Sequence, residues 1–335
     1  MTELASVKAG KRFWELAKIF LAISLLYLVI SKTNIQELLL LKDEILWGWV
    51  IGLVFLTFGM TLMKAFQYYA LLGDKENYWH ILRITILQNA IANFVATSAG
   101  IASYLTLLKK EENIGLSRSG GAFILTKFGD LLAIFFYLVL TASLIWTSIE
   151  PLHEMTILLA LGIVGALSLF VLTIWWRERF VDGIVKLFAT IRIDRWRPVQ
   201  KGIDMLNVVA REDQHRIFSL LKTSILLSLV YMTMTMLLSW MNLKAFNIEL
   251  GIWPIVYVAA IMQLITYIPV HVLGGVGVIE VSAIYLYGIW GLEPIELAAA
   301  LLGMRVLFYA TNASTLLYFP LKFLYERNRE KRTAI

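Results

Sequence analysis

The sequence contains no cysteine, only four histidines and no cluster of acidic residues. Without cysteine the chain forms no disulfide and offers no thiol nucleophile or thiolate metal ligand. The histidines are scattered at positions 80, 153, 215 and 271, whereas enzymatic chemistry needs a nucleophile with its base or several metal ligands in one place. The sequence therefore predicts that the protein is not an enzyme and that it binds neither a metal ion nor a cofactor.

Charged residues are also scarce, at 16% of 335 residues, whereas 59% are hydrophobic and the mean hydropathy is +0.73. Such a chain has too little polar surface to cover a water-soluble globule, and several apolar runs reach the roughly 20 residues that span about 30 Å of hydrocarbon. The composition predicts an all-α, polytopic integral membrane helical bundle. The net charge of +6 does not indicate nucleic-acid binding, because the cations lie mostly in loops between the apolar runs.

The apolar segments can be assigned to sides of the membrane by counting Lys and Arg in their connections, since short cationic loops stay in the cytoplasm. By this count the N-terminus, the segment 177–216 and the C-terminal tail are cytoplasmic. We expect a multi-pass protein of the cytoplasmic (inner) membrane of a prokaryote, with both termini inside. The predicted apolar segments are 13–30, 45–72, 80–108, 120–148, 154–176, 217–240, 252–290 and 297–321.

Segments 80–108 and 252–290 each begin and end on the same side of the membrane by this count. Each also has small residues or proline where a hairpin would turn, ATSAG ending at Gly100 in the first and Pro269 to Gly277 in the second. The sequence thus predicts two re-entrant hairpins in an inverted repeat, an arrangement typical of transporter binding sites. The alternative is a pair of ordinary full-length helices with packing glycines.

The chain is predicted to form one transmembrane domain over residues 1–335, with repeat halves at about 45–148 and 217–321. Between the halves, the polar segment of about 177–216 carries apolar residues near helical spacing, which predicts an amphipathic helix at the cytoplasmic interface. Such a helix either contacts anionic headgroups or only anchors the topology.

Two motifs carry a resemblance to a known family. The run PVHVLGGVGVIE followed by AAALLGMR, and the earlier SAGIASYLTLLKK with TKFGD, resemble motifs of the lysylphosphatidylglycerol synthase transmembrane region family, also called flippase-like domain proteins. The resemblance implies an integral membrane protein that moves lipids or lipid-linked intermediates between leaflets. The membrane half of the multiple peptide resistance factor does this for aminoacylated phosphatidylglycerol.

Lys64, Lys127 and Arg305 lie within otherwise apolar segments, where a charge costs at least about 2.5 to 3.5 kcal/mol on insertion scales, so each needs a partner or a water-filled cavity. A guanidinium grips phosphate in a bidentate way, and Glu280 would hold Arg305 when the site is empty. The alternative is a structural ion pair. Gly274, Gly275 and Gly277 are predicted to shape this substrate-binding site.

Further polar residues are candidates for substrate binding. Lys127 and Asp130, one helical turn apart, either bind substrate or only stabilise their helix, and Lys64 is predicted to snorkel from near a helix end. His271 is predicted to cap a broken helix or to couple transport to protons. The predicted set is completed by Gly100 and by Asn93 and Asn312, which either line a hydrophilic path or join helices.

We therefore expect a lipid flippase or transporter that moves an anionic phospholipid or a polyprenyl-phosphate-linked lipid between the leaflets of the cytoplasmic membrane. The alternative is a membrane-embedded accessory subunit or enzyme of lipid or cell-envelope glycolipid modification. The expected partner is a membrane lipid or lipid-linked substrate and not nucleic acid. Assembly with a second copy or with a lipid-modifying enzyme stays open.

Overall fold

The computed structural model describes residues 45–73, 77–190, 214–267 and 275–321, with three single positions between 200 and 207. The regular elements in these residues are helices, and the predicted all-α class is confirmed. A short 3₁₀ helix, Trp146–Leu152, precedes the fifth α-helix. The α-helices are α1 Trp47–Leu72, α2 Tyr78–Phe94, α3 Thr97–Glu111, α4 Leu116–Leu144, α5 His153–Thr190, α6 Gln214–Ala245, α7 Ile252–Thr266, α8 Val278–Gly288 and α9 Pro294–Thr315.

Five stretches of the described residues are long and apolar enough to cross a membrane, and they correspond to α1, α4, α5, α6 and α9 with their adjoining turns. In the α5 stretch, exposed tryptophans stand at both ends, Trp146 at one and Trp175 at the other, as in the aromatic belts of membrane proteins. The predicted multi-pass membrane protein is confirmed. The predicted first segment, 13–30, and both termini lie outside the described residues.

In the part of the chain that the structure describes, four α-helices are too short to cross a membrane. α2, α3, α7 and α8 have 17, 15, 15 and 11 residues. At 1.5 Å per residue the longest measures about 26 Å, less than the ~30 Å of a hydrocarbon core. The predicted segments 80–108 and 252–290 are thus each divided into two short helices. Re-entry of these helix pairs into the membrane stays a prediction.

The first pair of short helices runs antiparallel. His80 at the start of α2 places its Nδ1 3.0 Å from Oε1 of Glu112, just beyond the end of α3, and Arg83 pairs with Glu111 beside it. Since the first turn of α2 meets the last turn of α3, this pair forms a helical hairpin.

The chain reverses at the start of the predicted ATSAG break. The turn lies at residues 95–96, and Thr97 already begins α3. The prediction that Gly100 shapes the turn is wrong, because Gly100 is inside the helix. A Cβ at Gly100 would lie 2.6 Å from the Cβ of Ala92 and 2.8 Å from the carbonyl oxygen of Gln88. Gly100 therefore allows α3 to approach α2 closely, which any side chain would prevent.

The second pair of short helices also packs together. α7 contacts α8, and α8 contacts α9. The rings of Tyr257 in α7 and Trp290, just beyond α8, meet edge to face with centroids 6.2 Å apart. Gly291, with φ of 76°, then reverses the chain, and Pro294 opens α9 at a position where a helix loses no hydrogen bond to proline.

The order long, short, short, long occurs twice along the chain. Helices α1 to α4 have 26, 17, 15 and 29 residues, and α6 to α9 have 32, 15, 11 and 22. The division into repeat halves at about 45–148 and 217–321 stays a prediction. The opposite orientation of the two halves stays a prediction.

The compact units of the fold do not coincide with these halves. Of the described residues, those within 45–61, 85–104 and 237–321 form one unit, and those within 62–84 and 105–236 form the other. In the first unit, Val50 and Leu53 of α1 form a core cluster with Met241 of α6 and Ala300 of α9. In the second unit, α4 packs on α5, and the rings of Phe128 and Phe170 stack 4.4 Å apart.

Helix α5 is longer than the predicted apolar segment 154–176. It continues through Thr190, into the region predicted as a cytoplasmic linker. Nothing in residues 177–190 stops the helix, because this stretch contains no proline and its single glycine, Gly183, is tolerated in a helix interior. The interfacial amphipathic role of this region stays a prediction, and most of residues 191–213 lie outside the described part.

Candidate functional site

The first candidate site is built where α8 begins. Gly275 has φ of 81° and Gly277 has φ of 83°, in the left-handed region that side chains with a Cβ rarely adopt. Helix α8 starts directly after Gly277, at Val278. Two glycines in this conformation let the chain turn sharply into a new helix, and the backbone N–H of Gly277 faces into the first turn.

Glu280 occupies the start of this helix. Its Oε2 accepts a hydrogen bond of 2.6 Å from the backbone N–H of Gly277. A carboxylate here satisfies one of the N–H groups that a helix N-terminus leaves without a partner, and it interacts favourably with the helix dipole. The residue is only 2% exposed, so its charge requires further compensation.

Arg305 of α9 supplies that compensation. Its Nε donates to Oε1 of Glu280 at 2.5 Å, and a second guanidinium nitrogen also pairs with this oxygen. The Arg305 side chain is 10% exposed. The guanidinium carbon lies 5.4 Å from the ring centre of Phe308 and 6.0 Å from that of Tyr309. The cation is therefore held by one carboxylate and by two aromatic rings one turn further along α9.

The end of α2 reaches the same part of α9. The side-chain amide of Asn93 donates to Oδ1 of Asn312 at 2.7 Å. The rings of Phe94 and Tyr309 stack with centroids 5.6 Å apart. Because Phe94 is the last residue of α2, the tip of the first helical hairpin is joined to α9 within one turn of Arg305.

A second charged cluster joins α1, α4 and α6. Nζ of Lys64 lies 2.8 Å from Oδ2 of Asp130 and also donates to Oε1 of Gln67 at 2.9 Å. The side-chain amide of Gln67 donates to Oγ of Ser228 at 2.7 Å, and Ser228 donates to Oδ1 of Asp130 at 2.8 Å. The four side chains thus form a closed hydrogen-bonded ring.

This ring is almost completely buried. Lys64 is 7% exposed and Asp130 2%, whereas the neighbouring Lys127 has a side chain that is 41% exposed. Nζ of Lys127 lies 3.9 Å from Oδ2 of Asp130, and Nζ of Lys64 lies 4.5 Å from the ring centre of Tyr231. Gly129 permits the close approach of α6, because a Cβ there would come within 2.7 Å of Oγ of Ser228.

Comparison with protein families gives one match. The family model described as "Lysylphosphatidylglycerol synthase TM region" matches residues 16–313. The chain belongs to this family. Comparison with curated proteins and with solved structures finds no match. Membership and the membrane-spanning helices identify a membrane protein that functions in lipid handling.

The predicted site residues of this lysylphosphatidylglycerol synthase TM region protein do not all lie at one place in the structure. Glu280, Gly275, Gly277 and Arg305 meet at the start of α8, and the pair Asn93–Asn312 lies one to two turns along α9. His271 and Gly274 lie outside the described residues. Of the other predicted residues, Gly100 lies inside α3, and Lys127 and Asp130 belong to the second cluster.

One sequence prediction about the second cluster is wrong. Lys64 does not snorkel toward a helix end, since its Nζ is bound between Asp130 and Gln67. Asp130 has Lys64 as its close partner, and Lys127 on the same helix is more than 1 Å further away. The reason is geometric: Lys64 lies across from the carboxylate on a neighbouring helix, whereas Lys127 leaves from a more exposed face of α4.

Several residues of both groups were not anticipated. Phe308 and Tyr309 follow Arg305 at spacings of three and four, which places them on its helix face, so that the spacing alone could have suggested them. Ser228 follows Ser224, whose Oγ donates to the carbonyl oxygen of Leu125 in α4 at 2.7 Å, at the small-residue spacing at which membrane helices approach closely. Gln67 and Phe94 gave no signal, because their contacts are made with helices distant in the sequence.

Proposed function

We propose that the protein moves a phosphate-bearing anionic lipid between the leaflets of the cytoplasmic membrane of a prokaryote, with Arg305 receiving the phosphate. Membership of a lipid-handling family supports this proposal. The substrate class is an anionic phospholipid or a polyprenyl-phosphate-linked lipid. Its acyl or prenyl tails stay in the surrounding lipid while the headgroup passes through the protein.

The observation that carries the proposal is the position of the Glu280 carboxylate. It is held by a backbone N–H at a helix N-terminus and by a guanidinium, with distances of 2.6 and 2.5 Å. These are the donors that bind phosphate in proteins, since helix N-termini favour anions and guanidinium groups bind two oxygens in parallel. Glu280 therefore acts as an internal anion, and a lipid phosphate replaces it on Arg305 when substrate enters.

The environment of Arg305 favours a ligand role over a purely structural ion pair. A purely structural ion pair requires only its two side chains. The Arg305–Glu280 pair also lies beside two glycines with positive φ, two aromatic rings and the tip of the first helical hairpin. Irregular backbone at membrane depth is tolerated where it is covered by protein or lines a cavity. Broken helices of this kind are characteristic of transporter substrate sites.

The repeat of long and short helices supports the same proposal. In our account the pairs α2–α3 and α7–α8 are re-entrant hairpins that open to opposite sides, as the parity of the cationic loops requires. Their lengths of 17, 15, 15 and 11 residues suit helices that enter the membrane and return. Alternation between two arrangements of such a repeat would expose the Arg305 site to each leaflet in turn.

Reconstitution tests the proposal. Purified protein in vesicles with a fluorescent phosphatidylglycerol analogue should speed the exchange of label between leaflets, measured by a membrane-impermeant quencher, and Arg305→Gln should abolish the effect. No exchange with stably folded protein would favour an accessory subunit. Chemical change of the lipid, detected by mass spectrometry, would instead indicate an enzyme.

A further inference from the structure

The Lys64–Asp130 ring is a buried charged cluster that the proposed headgroup site does not use. Asp130 lies close to the midpoint of the candidate span Arg118–Leu144. Ionisable residues at such depth are costly and are functional candidates by default. The ring also belongs to the compact unit formed by residues 62–84 and 105–236, whereas Arg305 and Glu280 belong to the other unit.

The ring is closed to any ligand larger than a proton. Each oxygen of Asp130 already has a partner, Lys64 on Oδ2 and Ser228 on Oδ1. The Lys64 ammonium occupies the place beside the carboxylate that a metal cation would take. The four ring residues are at most 7% exposed, so the ring leaves no space for an anion or a hydrated cation.

One titratable neighbour connects this buried pair with the exterior. Lys127, 41% exposed, holds its Nζ 3.9 Å from Oδ2 of Asp130. That separation is too long for a hydrogen bond but is within reach of a small side-chain rotation. The remaining titratable groups facing the pair are Tyr68 of α1 and Tyr231 of α6, whose ring centres lie 5.9 and 4.5 Å from Nζ of Lys64.

We infer that the Lys64–Asp130 pair binds and releases a proton, and that this couples lipid movement to a proton gradient; the coupling rests on the proposed transport function. On binding, a proton from water forms an O–H bond at Oδ2 of Asp130, and the net charge of the pair changes from zero to plus one. Lys64 keeps its ammonium form, bound to Gln67 and the face of Tyr231. On release, the O–H bond breaks, the proton returns to water and the ion pair forms again.

The ring geometry suits this exchange. Protonation of Asp130 removes one acceptor at Oδ2, but Lys64 retains Oε1 of Gln67 at 2.9 Å and so is not left without an acceptor. Ser228 continues to donate to Oδ1 of Asp130. Lys64 and Asp130 thus each keep a side-chain partner in both states, and the free-energy cost of switching is that of the net positive charge in the buried pair.

A translocation experiment with a pH gradient tests the coupling. Vesicles containing the intact protein and the fluorescent phosphatidylglycerol analogue are compared with and without an imposed gradient. We expect the gradient to change the wild-type rate several-fold, and the double variant Lys64→Gln with Asp130→Asn to bring the ratio of the two rates to one. The matched control, Lys244→Gln with Glu249→Gln, neutralises an ion pair at the end of α6 and should keep the wild-type ratio.

Infrared difference spectroscopy on purified protein separates the proton site from the transport function. Acidification should produce a protonated-carboxyl band that Asp130→Asn lacks, and Lys127→Gln should slow its appearance without lowering Tm. No such band in the wild type, or its persistence in Asp130→Asn, would overturn the inference. So would a wild-type rate indifferent to the gradient. A band without any lipid movement would keep the proton site and contradict the proposed transport function instead.

Discussion

Two buried carboxylates hold a basic side chain each, yet their surroundings differ. Glu280 is bound by a backbone N–H at a helix start and by the guanidinium of Arg305, beside glycines with positive φ and aromatic rings. Asp130 is bound by Lys64 and Ser228 within a ring of side chains on three regular helices. The first carboxylate occupies donors that an external anion can also use. The second is enclosed by side chains that are hydrogen-bonded to one another and to the carboxylate.

The two clusters also differ in their basic residue, which is arginine in the first and lysine in the second. A guanidinium has five N–H donors in a planar fork and stays charged, so it can pass from one anion to another without losing its geometry. An ammonium is a compact point charge, and that of Lys64 is satisfied by one carboxylate, one amide oxygen and one aromatic face. Arginine in the first cluster thus suits exchange of ligands, and lysine in the second suits a fixed partner and the exchange of a proton.

The largest expected effect tests how tightly the second cluster is closed. Lys64→Met leaves Asp130 buried without its close partner and should lower the free energy of unfolding by about 3–5 kcal/mol. Lys127→Met is the matched control on the same carboxylate. Because Lys127 is 41% exposed, its removal should cost less than about 1 kcal/mol. Unfolding in mixed micelles measures both values, and equal losses would contradict the fixed pairing of Lys64 with Asp130.

The next largest effect is expected from Arg305→Lys and should appear in the rate of lipid exchange. Arg305→Lys keeps the charge but loses the fork, so we expect lipid exchange to fall about tenfold or more, the equivalent of one charged hydrogen bond of about 1.5–3 kcal/mol. Arg83→Lys, in the ion pair with Glu111, is the control and should stay within about twofold of wild type. Normal exchange in Arg305→Lys would show that only charge matters at this site.

A smaller effect is expected from the turn before α8. Gly275 has φ of 81°, so Gly275→Ala should be strained by about 1–2 kcal/mol and should reduce both Tm and lipid exchange. Gly48→Ala is the control, since Gly48 is helical and a Cβ there meets nothing within 4 Å. It should leave stability unchanged or slightly raised. Equal Tm and equal lipid exchange in the two variants would contradict the claim that the positive φ of Gly275 shapes this site.

The smallest effect is expected from the aromatic ring of Tyr309, which is tested without changing the charge of Arg305. Tyr309→Leu removes the ring that stacks on Phe94 and faces Arg305, interactions worth about 0.5–1.5 kcal/mol, and should reduce lipid exchange two- to fivefold. Tyr309→Phe keeps the ring and should retain more activity than Tyr309→Leu. Equal activity of these two variants would show that the ring plays no part in positioning Arg305.

Sequence reasoning was most successful where the signal is local. Glycines and a proline within an apolar run indicated the broken segment before Glu280, and the scarcity of charge made Arg305 a candidate for pairing with it. Cation counts in the loops led to the two interrupted segments, and the helices α2, α3, α7 and α8 bear out the interruptions. These features depend on residue type and on neighbours near in the chain.

Sequence reasoning failed where the interacting residues are far apart in the sequence. Lys64 and Asp130 are 66 positions apart, and no periodicity links a lysine in α1 to a carboxylate in α4. Gly100 looked like a turn residue because glycine is suited to turns, but its function depends on Ala92 of the facing helix. The predicted apolar segment ends at residue 176, as does the candidate span, but hydropathy did not show that one helix continues from it to Thr190, because polar residues also support backbone hydrogen bonds.

The most direct test of the central claim combines Arg305→Gln with Glu280→Gln. The single Arg305→Gln variant leaves Glu280 as a buried charge and should lose both stability and lipid exchange. The double variant leaves no unpaired charge, so its Tm should recover toward the wild-type value while lipid exchange stays absent, because the phosphate receptor is gone. Recovery of both Tm and lipid exchange in the double variant would contradict the account and show that Arg305 only balances Glu280.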